Sequence, residues 1–230
     1  MSWRRRAAQF DTSWARRPAA QATREVILNY VLGPLIDYYT APIVLGTDLF
    51  DGLKPPVVFV ANHSSHLDTP SVLRSLPRKW RRKTAVLAAA DYFYKNRVYA
   101  TLVSLSFAAV PIDRKGGLTK GTTERIARLV DEQWNVLLFP EGTRSRTGQM
   151  GSFRHGASYI AVEHSLPVVP VYLHGMHDAM PVGRGWPRKH PCSIHFGQPV
   201  YPVPGEDPKK LTVRVRDALT QMRIERAALD

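Results

Sequence analysis

The 230-residue sequence predicts a single α/β domain built on a largely parallel sheet flanked by helices. Two observations carry that expectation. Short apolar runs bounded by turn residues alternate along the chain with longer stretches of helical periodicity. A hydrophobic content of 44%, with 10% aromatic residues, also supplies material for one real core. No internal repeat and no low-complexity linker divides the chain.

Residues 57–61, Val-Val-Phe-Val-Ala after Pro55-Pro56, read as a first buried strand. Thr69-Pro70 supplies a helix N-cap followed by proline at the first helical position. Residues 84–89 predict a second strand and residues 106–112 a third. Between 119 and 134, Ile126, Leu129, Val130 and Trp134 recur at helical spacing. Residues 136–139 and 168–173 predict strands four and five, with a shorter one at 193–196. From Pro208 onward, Leu211, Val215, Leu219 and Met222 mark one face of a terminal helix.

The first fifty residues differ, so the chain divides into a helical extension, 1–50, and a main domain, 51–230. A helix over 3–17 places Trp3, Ala7, Phe10 and Trp14 on one stripe, flanked by Arg4, Arg5, Arg6, Arg16 and Arg17. That is the pattern of a helix lying among lipid headgroups; a disordered basic tail, with Asp11-Thr12-Ser13 interrupting any helix, is the equal alternative. Residues 26–47 are rich in apolar side chains but broken by Pro34 and Asp37. A spanning helix needs about 20 predominantly apolar residues, so shallow insertion or packing on the domain is expected instead. The basic start lacks the apolar stretch of a signal peptide. Cys192 is the only cysteine, which excludes an internal disulfide. Together these predict a peripheral protein on the cytoplasmic face of a membrane.

Net charge is +13, from 32 Lys and Arg against 19 Asp and Glu. The imbalance predicts anionic partners: a membrane surface, a phosphorylated substrate, a thioester donor bearing phosphates, or nucleic acid. The run Arg78-Lys79-Trp80-Arg81-Arg82-Lys83 fits membrane or phosphate contact, base stacking by Trp80, or an exposed loop.

Two segments concentrate chemistry, and each follows a predicted strand, where open α/β sheets place their sites. In the first, Asn62-His63-Ser64-Ser65-His66-Leu67-Asp68, a histidine precedes an aspartate by five positions. A histidine can take a hydroxyl proton, and a carboxylate on its other ring nitrogen would orient it. Alone, the same pair also fits a helix-start aspartate beside a loop histidine. The second segment, Phe139-Pro140-Glu141-Gly142-Thr143-Arg144-Ser145-Arg146, sets hydroxyls and two guanidinium forks on a loop that glycine lets come close to a ligand. Such forks match phosphate oxygens.

Four blocks in order, Asn62 to Asp68, Val110 to Arg114, Phe139 to Ser145 and Val168-Val169-Pro170-Val171-Tyr172, make the chain resemble the glycerolipid acyltransferase family typified by bacterial 1-acylglycerol-3-phosphate acyltransferases. The resemblance covers about residues 57–175 and leaves both ends unmatched. It implies His63 as general base, Asp68 as its partner, and Arg114, Glu141, Gly142, Thr143 and Arg144 around the acceptor's phosphate. Arg146 extends that clamp on charge alone, and Ser64 departs from the family's usual residue after the histidine. The family's chemistry further implies direct attack on an acyl-CoA or acyl-carrier-protein thioester, with no cofactor and no acyl-enzyme. Gly156-Ala157-Ser158-Tyr159-Ile160 lacks the closing glycine of a serine-hydrolase elbow. Lysophosphatidic acid is the first acceptor expected; glycerol 3-phosphate or another lysophospholipid would use the same blocks. No metal is expected, since the spacing of His190, Cys192 and His195 matches no usual zinc pattern. A nucleic-acid-binding protein explains the charge but not four ordered blocks, so no nucleic-acid partner is expected.

Overall fold

The computed structural model describes residues 10–93, 96–113 and 119–228. Among them, seven strands form one sheet: β1 (Ile43–Leu45), β2 (Val58–Ala61), β3 (Thr84–Ala89), β4 (Val110–Ile112), β5 (Asn135–Leu138), β6 (Val168–His174) and β7 (Ser193–Phe196). Their spatial order is β1-β7-β6-β2-β5-β3-β4. Every neighbouring pair is parallel except β6 with β7.

The strands read as continuous apolar runs because helices cover both faces of the sheet. Alternate residues feed opposite layers. Val58, Val60, Val136, Leu138 and Val168 point into one, where Leu211, Val215 and Leu219 of the C-terminal helix Pro208–Ala227 complete the packing. Phe59, Ala61, Leu137, Val169 and Val171 point into the other, against Leu28, Leu73, Trp80 and Phe196. A smaller cluster at the β3–β4 edge joins Ala88, Ala100, Val103 and Ala109 with Phe10, Phe93 and Phe107.

The extension departs from expectation in two ways. The continuous helix over 3–17 is not formed. Asp11 accepts from the Ser13 amide at 2.8 Å, only Ser13–Arg16 winds as a short 3-10 turn, and residues 1–9 lie outside the described residues. Phe10 packs on the β3–β4 edge cluster. The stretch 26–47 takes the packing alternative: Leu28 and Ile36 are buried, each contributing about 1.5–3 kcal/mol. Second, its end is not helical, because Ile43–Leu45 forms strand β1 beside β7. Arg24 ties this region down. Its Nε donates to the Leu105 carbonyl at 3.0 Å and its Nη2 to the Ala15 carbonyl, while burial pulls its pKa down to about 10.

Other boundaries also shift. The strand expected at 106–112 is only Val110–Ile112, because Ser106 and Phe107 end the helix Arg97–Phe107. Ala108, at φ 49°, turns the chain there without the glycine that usually announces such a stop. The helix expected from Thr69-Pro70 begins at Asp68, with Leu67 as its N-cap. The helix before β5 stops at Asp131, leaving Trp134 buried just beyond it. The basic run 78–83 is no exposed loop. It is mostly the helix Arg78–Arg82, with Trp80 in the core and Arg81 clamped to both Glu25 oxygens at 2.9 and 2.8 Å. Trp80 is therefore no stacking platform for a base.

Candidate active site

The site lies at the carboxyl ends of β2 and β5, adjacent central strands. Asn62 fixes the exit of β2 against β6: its Nδ2 donates to the Leu173 carbonyl at 2.9 Å and its Oδ1 accepts the Leu173 amide at 2.8 Å. The chain then turns into the helix Asp68–Ser75. The Asp68 carboxylate, in that helix's first turn, benefits from the positive end of the helix dipole. Its Oδ2 accepts the Ser64 amide at 2.7 Å and the Ser65 amide at 2.8 Å, and stands 2.8 Å from His63 Nδ1. Asp68 is fully buried, and the His63 side chain keeps 20% of its exposure. The imidazole is stacked on Phe139, with centroids 4.1 Å apart and 21° between planes. Carboxylate and ring stacking thus orient His63, with Nδ1 engaged by Asp68.

The loop after β5 is bound to the same strand exit. Glu141 Oε1 accepts the His63 amide at 2.8 Å, Oε2 accepts the Gly151 amide at 2.9 Å, and Ser145 donates to the His63 carbonyl at 2.8 Å. Burial pushes the Glu141 carboxyl upward in pKa, and its two amide hydrogen bonds pull it back. A raised acid pKa means that ionisation weakens the fold. That share of stability is full below the ordinary carboxyl value and shrinks as pH rises through the raised one. Gly142 sits at φ +71°, and a Cβ there would come 3.0 Å from Arg154 Nε.

A cavity of about 310 Å3 opens beside His63. Its polar lining includes His63, His66, Thr143 and Arg144. Its apolar lining includes Val86, Phe93, Val103, Phe107 and Ala109, largely the β3–β4 edge cluster. The Arg144 guanidinium lies 5.9 Å from the centre of the Tyr92 ring, and the Tyr92 hydroxyl is 3.5 Å from His66 Nε2. The arrangement joins an oriented imidazole, a guanidinium and an apolar hollow.

The structure therefore gathers His63, Gly142, Thr143 and Arg144 around one opening, with Asp68 buried behind His63. Glu141 is not on the cavity wall; both its oxygens bind backbone amides, so it braces the two loops. Arg146 is exposed and does not line the cavity, because the loop has turned away by that position. Arg114 lies outside the described residues. Sequence reasoning missed the bracing role of Asn62 and the presence of Tyr92, which reaches the rim from the helix Ala90–Phe93 after β3. Among the described residues, no group of three or more His, Cys, Asp or Glu side chains could hold a metal ion.

The family model "Acyltransferase" matches residues 41–174. The chain is 34% identical over 143 residues to the chloroplastic 1-acyl-sn-glycerol-3-phosphate acyltransferase BAT2 of Brassica napus, covering 61% of this chain and 39% of that protein. It is 32% identical over 142 residues to "Taffazin" of Dictyostelium discoideum, covering 57% and 50%. With the human 1-acyl-sn-glycerol-3-phosphate acyltransferase alpha it shares 30% over 125 residues, covering 54% and 42%. The matches thus span half or less of the length of these three relatives. The crystal structure of the 1-acyl-sn-glycerophosphate acyltransferase PlsC from Thermotoga maritima has the same fold. Its TM-score is 0.68 at 19% identity, over 96% of this chain and 85% of that one. With more than half of its length matched by the family model, the chain belongs to the glycerolipid acyltransferase family.

Proposed function

We propose that this protein transfers a fatty acyl group from an acyl-CoA or acyl-carrier-protein thioester to a hydroxyl of a phosphate-bearing glycerolipid precursor, lysophosphatidic acid first among them. The observation that carries the reading is the His63–Asp68 pair at the mouth of an apolar cavity whose rim bears Arg144. The apolar lining suits an acyl chain, and the guanidinium suits a phosphate. His63 Nε2 takes the proton of the acceptor hydroxyl as its oxygen attacks the thioester carbonyl. The new C–O bond forms, the C–S bond breaks, and the proton passes from the imidazolium to the departing thiolate. Asp68 stabilises the imidazolium in between.

No acyl-enzyme is needed, and the candidate nucleophiles are poor. Burial pushes the Cys192 thiol up to about 12, and Ser158 is buried with its hydroxyl accepting from Thr212 at 2.9 Å. Arg144→Ala should raise the acceptor KM at least about tenfold, the worth of one charge-assisted hydrogen bond, with the donor KM within about twofold. Steady-state kinetics varying each substrate in turn make the comparison, and equal effects on both would sink the phosphate role.

The same reading places the protein on an anionic membrane surface. No helix among the described residues is long and apolar enough to cross a membrane. Tyr30 and Val31 are 77% and 62% exposed, and Val98 and Leu102 add exposed apolar surface on the helix Arg97–Phe107. Isolated, such residues are unremarkable. Here they form the lipid-facing side, with the net charge of +13 attracting anionic headgroups. Replacing Tyr30 and Val31 by serine should weaken co-sedimentation with anionic vesicles while leaving thermal unfolding unchanged; unaltered sedimentation would reject this face.

A further inference from the structure

A second hollow, of about 500 Å3, lies across the two loops that build the site. Near neighbours on each loop serve different cavities. His63 lines the first and Ser64 the second; Thr143 and Arg144 line the first, whereas Thr147, Gly148 and Gln149 line the second. The remaining wall includes His174 and His177 after β6 and Arg223 from the C-terminal helix.

Acyl transfer needs three routes away from the reacting carbonyl: one for the acyl chain, one for the acceptor and one for the arm that carries the sulfur. The first cavity accounts for two, its apolar lining and its Arg144 rim. An arm containing amides and ending in a phosphate would leave those amides unpaired in the apolar part, at a cost in desolvation. The second hollow fits such an arm. Its wall mixes Leu173, Met176 and Ile224 with Thr147, Gln149 and His177, matching methylenes that alternate with amides.

Arg223 fits the phosphate. Its Nη1 donates to Gln149 Oε1 at 3.0 Å, which orients the guanidinium, and a guanidinium carries five N–H donors in all. Asp178, the carboxylate on this wall, faces His190 Nε2 at 3.9 Å. Gly148, at φ +78°, keeps the loop close to His177: a Cβ there would come 3.1 Å from the imidazole Cγ.

We infer that this second hollow receives the phosphopantetheine arm of the thioester donor, with Arg223 as the phosphate partner; the inference rests on the acyl-transfer reading of the first cavity. CoA and acyl-carrier protein share that arm, so the hollow serves whichever donor is used.

The test uses the full chain and Arg223→Glu, with Arg223→Gln as a milder variant. The readouts are binding of S-hexadecyl-CoA, a thioether that cannot transfer its chain, and kinetics with palmitoyl-CoA and palmitoyl-acyl-carrier protein. Arg223→Glu should weaken S-hexadecyl-CoA binding and raise the KM of the donor in use by about tenfold or more. The acceptor KM should stay within about twofold, and binding of S-hexadecyl-pantetheine, which lacks phosphate, should not change. Unaltered donor binding in both variants overturns the assignment, as does an equal loss with the phosphate-free analogue. A wild-type protein that binds S-hexadecyl-CoA through Arg223 yet releases no thiol with any acceptor would keep the hollow and reject the transfer reaction. Wild-type protein that transfers acyl groups with an Arg223-independent donor KM would do the reverse.

Discussion

Replacing His63 by alanine should lower acyl transfer by about 10²–10⁴-fold while the protein stays folded. Base catalysis by one positioned imidazole has that worth, because a neutral hydroxyl attacks a thioester slowly until its proton has somewhere to go. The fold should survive for a local reason. The side chain is partly exposed, and Asp68 Oδ2 retains the Ser64 and Ser65 amides after the ring is gone. The His63 backbone also keeps its bonds to Glu141 and Ser145, so both loops stay joined. Single-turnover rates together with thermal unfolding separate the two effects. A variant with wild-type rate would remove the base from the mechanism.

Asp68→Asn should have the second-largest effect and a different signature. Three donors converge on one carboxylate oxygen in a fully buried place. Asparagine can keep an oxygen there only by burying its amide nitrogen where Asp68 Oδ1 now stands, an atom without a hydrogen-bond partner. The imidazolium also loses its counter-charge. In Ser-His-Asp enzymes the same exchange costs about 10⁴ in rate. A drop of about 10²–10⁴ is expected here, with a stability loss of about 1–3 kcal/mol from the unmatched buried amide. Acyl-transfer rates and denaturant unfolding measure both. Full activity with lowered stability would make Asp68 purely a helix-start residue.

Much of this was legible in the sequence, and the part that was not has a common cause. β2, β3, β5 and β6 announced themselves because burial on both faces makes a strand a continuous apolar run. β1 did not, since three residues at a sheet edge carry too little pattern and followed a helical stretch. The helix Arg97–Phe107 was missed where apolar residues ran on past its end into β4, with Ala108 marking the break. The His63–Asp68 pair could be read from spacing because one short turn sets its geometry. The role of Glu141 could not, because its contact with His63 joins residues 78 positions apart through the β2–β5 pairing. Tyr92 reaches Arg144 through the neighbouring β3–β5 pairing. Arg146 read as a clamp from its charge alone, and charge does not report the direction in which a loop turns.

The most direct test is release of thiol from palmitoyl-CoA and palmitoyl-acyl-carrier protein, with formation of the new ester followed in parallel, across lysophosphatidic acid, glycerol 3-phosphate and neutral lysolipids. The expected result is release that depends on a phosphate-bearing acceptor, equals the ester formed and falls by about 10²–10⁴-fold in His63→Ala. Release that needs no acceptor, or that continues undiminished without His63, would contradict direct base-catalysed acyl transfer.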